Sequence, residues 1–189
     1  MEIFLDTANL EEISRYSAFI DGITTNPSIM SQYAYSEHST LIRKICAAVR
    51  GPVSVEVNSD DVAGMIKEGQ KLAAINNKIC IKLPCTYDGF MASKKLSSEG
   101  IPTNLTLCFS PTQALIAAKC GATYVSPFVG RLEDSGHDGI TLLEEIAEIY
   151  RTNDYETKIL AASIRSVSHV IQAAMIGVGA VTVSPNILK

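Results

Sequence analysis

One alternation runs the length of this chain: a short β-rich run, a stretch with helical periodicity, then another β-rich run. The β-rich runs are Glu2–Asp6, Gly22–Thr25, Val53–Val57, Lys78–Leu83, Thr103–Leu107, Thr123–Ser126, Lys158–Ala162 and Ala180–Val183. Each interval between them holds a plausible helix. Strand and helix in strict alternation favour a parallel sheet. Eight strands favour closure into a (β/α)8, or TIM, barrel, although an open doubly wound sheet also fits the alternation.

The helix boundaries carry their own signals. Asn9 can cap Leu10–Phe19, with Glu12 as the partner of a capping box. Ser110-Pro111-Thr112-Gln113 supplies a cap, a proline at the first helical position and a reciprocal Gln, and Gly121 stops that helix. Thr86 can cap a helix that ends near Gly100. His38–Val49, Asp60–Ile75, Gly139–Tyr150 and Ser166–Ile176 complete the set, the last stopped by Gly177. Asp134, Gly136 and Asp138 make Leu132–Gly139 read as a turn.

With 189 residues, the chain can bury one core and is short for two, and nothing marks a linker. One domain over residues 1–189 is expected. Hydrophobic residues make up 47% and charged residues 19%, the balance of a soluble globular domain. A net charge of −4 disfavours nucleic acid or an anionic membrane as the main partner, so an anionic substrate would need a local basic pocket. Cys46, Cys80, Cys85, Cys108 and Cys120 form no C-x-x-C pair and read as reduced, mostly buried thiols. The N-terminus opens on MEIFLDT without a basic or long apolar segment, and a cytoplasmic location is expected.

Strand parity then concentrates the polar residues. Successive side chains on a strand point to opposite faces. If Ile3 and Leu5 face the helices, Phe4 and Asp6 face inward. By the same rule Thr24 and Asn26, Ser54 and Glu56, Cys80 and Lys82, Asn104 and Thr106, and Tyr124 and Ser126 face inward. On the seventh strand Leu160 and Ala162 are expected outside, with Ala161 and Ser163 inside. Asp6, Asn26, Glu56, Lys82, Asn104, Thr106, Ser126 and Ser163 would then converge where strands end, the face on which parallel barrels carry their sites.

Each of these residues has an ordinary reading alone. A strand lysine can reach solvent, Asn26-Pro27 is a common turn pair, and Ser163 or Thr106 can satisfy backbone groups. Jointly, buried polar groups on seven strands cost free energy that only mutual pairing or a ligand offsets.

The set suits one chemistry. A lysine among apolar side chains can present a neutral amine to a carbonyl, and the resulting iminium is an electron sink for breaking an adjacent C–C bond. Asp6 and Glu56 are the carboxylates available to move protons. Arg131, beyond the sixth strand, and Arg165, at a helix start beyond the seventh, suit a phosphate. Neither metal nor cofactor is called for: the histidines, His38, His137 and His169, form no ligand-spaced cluster.

FLDTANLEEI, DGITTNPS, VSVEV, IKLP, TNLTLCFS, ATYVSPFVGR and AASIR resemble, in order and spacing, the small-subunit branch of the transaldolases. The resemblance covers nearly the whole chain. It implies a Schiff-base enzyme that moves a dihydroxyacetone unit between sugar phosphates in the pentose phosphate pathway. It implies Lys82 as the Schiff-base lysine, Asp6 as the acid/base of C–C cleavage, and Glu56 with Thr106 as holders of a proton-shuttling water. Asn26, Asn104 and Ser126 would meet the dihydroxyacetone unit, and Arg131, Ser163 and Arg165 the phosphate.

A sister branch, the fructose-6-phosphate aldolases, releases free dihydroxyacetone. It carries Gln where this chain has Glu56 and Tyr where this chain has Phe128, so both positions resemble the transferase version. Family members continue with C-terminal helices where this chain reads Ile187-Leu188-Lys189, and those helices help pack subunits into homo-oligomers. The outer face of the eighth strand is therefore expected to lie uncovered.

Overall fold

The eight β-rich runs become eight parallel strands that pair in chain order and close into a barrel: β1 (Glu2–Asp6), β2 (Gly22–Thr24), β3 (Val53–Glu56), β4 (Ile79–Pro84), β5 (Thr103–Cys108), β6 (Tyr124–Pro127), β7 (Lys158–Ala161) and β8 (Ala180–Val183). This is a computed structural model describing residues 1–189, apart from the side chain of Tyr35. Helices α1 (Leu10–Tyr16), α2 (Pro27–Met30), α3 (His38–Ala48), α4 (Val62–Ala73), α5 (Tyr87–Ser98), α6 (Pro111–Lys119), α7 (Val129–Asp134), α8 (Gly139–Thr152) and α9 (Val167–Ile176) connect the strands.

Two cores follow from strand parity. Outward residues such as Leu5, Ile23, Ile81 and Leu105 are fully buried against the helices, a burial worth about 1.5–3 kcal/mol each. Inside the barrel, Phe4, Cys80, Tyr124, Leu160 and Ala180 form a separate apolar plug. Its Phe4 and Tyr124 rings meet edge to face at 5.7 Å. The plug fills the lower barrel, below the residues that line the mouth at the strand ends.

The caps hold most helices where their signals place them. Asp61, Thr86, Ser110 and Ser166 each accept a backbone N–H from the first turn of their helix. Gly177 closes α9 in the left-handed conformation at φ 85. At α1 the expected capping box does not form. Asn9 accepts from Glu11 and Glu12, but its own N–H is taken by Thr7 Oγ1, and Glu12 accepts from that hydroxyl at 2.7 Å.

Several expectations need correction. The segment before Ser135 is not all turn: α7 runs to Asp134, and the turn is confined to residues 135–138. The seventh strand has the opposite parity, because Leu160 belongs to the inner plug and Ala161 to the outer core. On β5 a register shift between Leu105 and Cys108, with Leu107 at φ 57, turns Leu107 from the expected outer face towards the mouth. The outer face of β8 is also covered. Val181 and Val183 are at most 1% exposed, and Ile187 and Leu188 pack against the same core.

Candidate active site

Register places the central pair. Glu56 on β3 sits opposite Lys82 on β4, and Lys82 sits opposite Asn104 on β5. Lys82 is 6% exposed, and it is the buried lysine among the described residues. Its Nζ lies 3.0 Å from Glu56 Oε2 and donates to the Thr25 carbonyl at 3.2 Å. The lysine thus has two oxygen partners rather than the purely apolar surroundings expected from its strand. Gly89 keeps the turn after β4 tight, since a Cβ there would meet Pro84 O at 1.9 Å.

A second chain of contacts braces β3, β5 and β6. Ser126 Oγ donates to Asn104 Oδ1 at 2.8 Å, and Asn104 Nδ2 donates to Ser54 Oγ at 3.2 Å. These groups are buried and mutually satisfied. Thr106 Oγ1 is the exception: it is buried without a hydrogen-bond partner, and Thr106 lines the mouth. Such an atom costs about 1–3 kcal/mol unless something meets it.

On the opposite wall Asp6 Oδ1 accepts from Thr24 Oγ1 at 2.6 Å. Burial pushes the Asp6 carboxyl above its ordinary 3.8, against the opposing pull of the Thr24 hydroxyl and the Lys82 charge. Asn26 lines the mouth beside it while capping α2 through Ile29 N–H.

The rim after β6 and β7 is built by an unusual exit. Phe128 still bridges Ala162 in parallel, and the N–H groups of Val129 and Gly130 donate to Ala162 and Ser163 carbonyls. The first residues of α7 thus stay tied to the chain leaving β7, and the helix brings Arg131 back over the Phe128 ring at 5.0 Å. Phe109 meets Phe128 edge to face from β5's end. Ser163 reaches the mouth despite the reversed parity of β7 because it adopts φ 56, turning the chain after the strand.

Together these residues line a cavity of about 460 Å³ at the strand ends, a size typical for a small-molecule site. Asp6, Asn26, Glu56, Lys82, Thr106, Ser126, Phe128, Arg131 and Ser163 all reach it, with Asn104 directly behind Ser126. Arg165 does not line it. Both its terminal nitrogens are paired with the Asp134 carboxylate at the end of α7, outside the cavity. Thr24, Leu107 and Thr182 line the mouth without having been singled out by the sequence. Thr24 carried the right parity; Leu107 needed the bulge, and Thr182 was one threonine among many. A larger groove of about 1440 Å³ lies outside the barrel between α8 and α9, and none of the candidate residues lines it.

The profile that matches residues 3–189 describes Transaldolase/Fructose-6-phosphate aldolase. The chain belongs to this family of enzymes. A probable transaldolase from Bartonella tribocorum is 51% identical over 191 residues, spanning 100% of this chain and 88% of the relative. Probable transaldolases from Desulforapulum autotrophicum and Phocaeicola vulgatus are each 50% identical, spanning 100% of this chain and 88% and 89% of the relatives. Among solved structures, orotidine 5'-monophosphate decarboxylase from Metallosphaera sedula superposes with a TM-score of 0.68 over 97% of this chain and 87% of that one. At 11% identity that likeness concerns the barrel alone. No helix among the described residues is long and apolar enough to cross a membrane.

Proposed function

We propose that this family member is a transaldolase that works through a Schiff base on Lys82. It would move a dihydroxyacetone unit from a ketose phosphate, such as fructose 6-phosphate or sedoheptulose 7-phosphate, to an aldose phosphate, as in the pentose phosphate pathway. The observation that carries the reading is a buried lysine in contact with one carboxylate, with a second carboxylate lining the same cavity.

Lys82 passes a proton to Glu56, and its free amine attacks the ketose carbonyl carbon. The carbinolamine loses water as Glu56 returns the proton to the departing hydroxyl, through a water that the unpartnered Thr106 hydroxyl would hold. The iminium then draws electrons from the neighbouring C–C bond. Asp6 takes the proton of the hydroxyl on the departing carbon, the bond breaks, and an aldose phosphate leaves. The three-carbon enamine remains on Lys82. It attacks the acceptor's aldehyde carbon, Asp6 gives its proton to the new alkoxide, and water releases the product ketose from the lysine. Asn26 and Ser126 orient the dihydroxyacetone hydroxyls, with Asn104 supporting Ser126 from behind, and Arg131 and Ser163 receive the phosphate, joined by Arg165 once it leaves Asp134.

Phe128 favours transfer over release. Its ring offers no proton donor beside the enamine, so the fragment persists until an aldehyde arrives. The test has two arms. Borohydride with fructose 6-phosphate should add mass to the peptide containing Lys82, and label confined to other lysines overturns the mechanism. A ketose phosphate alone should yield little dihydroxyacetone, an aldose phosphate should accelerate donor consumption, and Phe128→Tyr should raise the released fraction. Equal release with and without acceptor would assign the aldolase reaction instead.

A further inference from the structure

The strands on either side of β1 each carry a threonine, and together the two approach Asp6 in a way the proposed mechanism does not use. Thr24 on β2 faces Asp6 in register, and Thr182 on β8 pairs in register with Phe4, two residues below. Thr24 Oγ1 lies 2.6 Å from Asp6 Oδ1 and also 2.6 Å from Thr182 Oγ1. Thr24 is 2% and Thr182 7% exposed, so water does little to share these contacts.

A count of protons fixes the direction of this chain. A hydroxyl carries one hydrogen and can accept at its lone pairs, whereas an ionised carboxylate only accepts. When Asp6 is ionised, the single Thr24 hydrogen must go to Oδ1. The short Thr24–Thr182 contact is then bonding only if Thr182 donates to Thr24. The order is Thr182 to Thr24 to Asp6, and hydrogen bonds aligned in this way strengthen one another. Oδ2 has no hydrogen-bond partner among the described residues.

We infer that Thr182, acting through Thr24, is a positioning residue for Asp6: the two hydroxyls occupy Oδ1, hold the carboxylate ready as a base, and direct the incoming substrate proton to Oδ2. The inference rests on the reading of Asp6 as the proton carrier of C–C cleavage. Burial pushes the Asp6 carboxyl up, and the Thr24 hydroxyl, which the Thr182 hydroxyl meets in turn, opposes it. The charged groups lining the same mouth are Lys82 on β4, Glu56 on β3 in contact with it, and Arg131 on α7. The hydrogen bond of Thr182 is to Thr24 and not to any of these groups, so removing the Thr182 hydroxyl leaves the Lys82–Glu56 pair intact.

The test is the pH profile of kcat for donor cleavage in the full chain. Cleavage rises with pH as Asp6 ionises. In Thr182→Val, nearly the same shape without the hydroxyl, that limb should move to higher pH by about half a unit or more, roughly a threefold loss of kcat on the limb. KM should stay within about twofold, since the substrate's own contacts are untouched. Thr182→Ser should restore the parental limb. Thr24→Val is the second variant, with a larger shift in the same direction, and it decides the matter if Thr182→Val does not fold. A limb that stays in place while Asp6→Asn is dead to cleavage overturns the hydroxyl chain and leaves Asp6's role standing. Asp6→Asn cleaving at the parental rate overturns both. Equal, pH-independent losses in the Ser and Val variants also overturn the chain, because they report packing alone.

Discussion

Glu56 and Lys82 face each other across neighbouring strands, carboxylate and ammonium 3.0 Å apart inside the barrel. The contact is suited to taking a proton from the amine and returning it to a leaving hydroxyl. Glu56→Gln keeps the shape and removes the base. Schiff-base formation, measured by the rate of borohydride trapping, should slow by about 100-fold or more while KM changes little. Trapping at the parental rate would remove Glu56 from that step.

The two arginines should separate. Arg131 lies over Phe128 at the mouth, so Arg131→Ala should raise KM for phosphorylated substrates by about 10- to 100-fold. Arg165 must first leave Asp134, whose carboxyl the Arg165 hydrogen bonds hold below its ordinary value. Asp134→Asn should free the guanidinium and lower KM, and Arg165→Ala should raise it. Steady-state kinetics with phosphorylated and unphosphorylated donors distinguishes these effects from general damage.

Asp6 trades stability for its place in the site. Its folded pKa is raised by burial, so the native state binds more protons than the unfolded chain above 3.8. Stability therefore falls as pH rises from 3.8 through the raised value, and the loss persists at neutral pH. Asp6→Asn carries no such charge and should melt higher than the parent at pH 7. The difference should shrink as pH is lowered towards 3.8. Melting curves across that range check the sign, and a variant that melts lower at pH 7 contradicts it.

Glu68 anchors the loop after β3. It accepts from Asn58 N, Asn58 Nδ2, Ser59 N and Ser59 Oγ. Partial burial raises its pKa, but these donors outweigh that and hold it below 4.5. Its contribution is therefore present above pH 4.5 and is lost as pH falls through the depressed value. Glu68→Ala should cost about 1–2 kcal/mol at pH 7, less than a buried case because solvent can replace the partner. Denaturant unfolding at pH 7 and pH 4 measures both the loss and its decline in acid.

The barrel and most of its mouth were legible because two periods carry them. On β1 to β4 and on β6, apolar residues alternate with polar or plug residues, so parity places Asp6, Glu56, Lys82 and Ser126 correctly. Parity failed on β7, where Ile159, Leu160 and Ala161 are apolar on both faces and the one charged residue, Lys158, sits exposed at the strand's start. It failed again past Thr106, where the bulge adds a residue that no local signal announces. Helix α7 was hidden because it is six residues long and Phe128 supplies no side-chain cap. The pairing of Arg165 with Asp134 joins residues 31 apart in the chain and is purely a tertiary fact. Thr182 was equally silent, since threonine is an ordinary strand residue and only its distance to Thr24 singles it out.

Leu107 and Ser163 both hold a left-handed backbone without being glycine, each at a cost of about 1–2 kcal/mol. They bracket β6, the strand that carries Ser126 and leads into Phe128 and Arg131. A wall pinned on both sides by conformations that only its surroundings enforce cannot relax gradually to admit a different guest. For protein engineering this makes the sixth-strand wall a point of conflict: glycine at either flank would relieve the strained conformation but loosen the frame around the proposed site, so thermal robustness and the fixed shape of the cavity pull in opposite directions there.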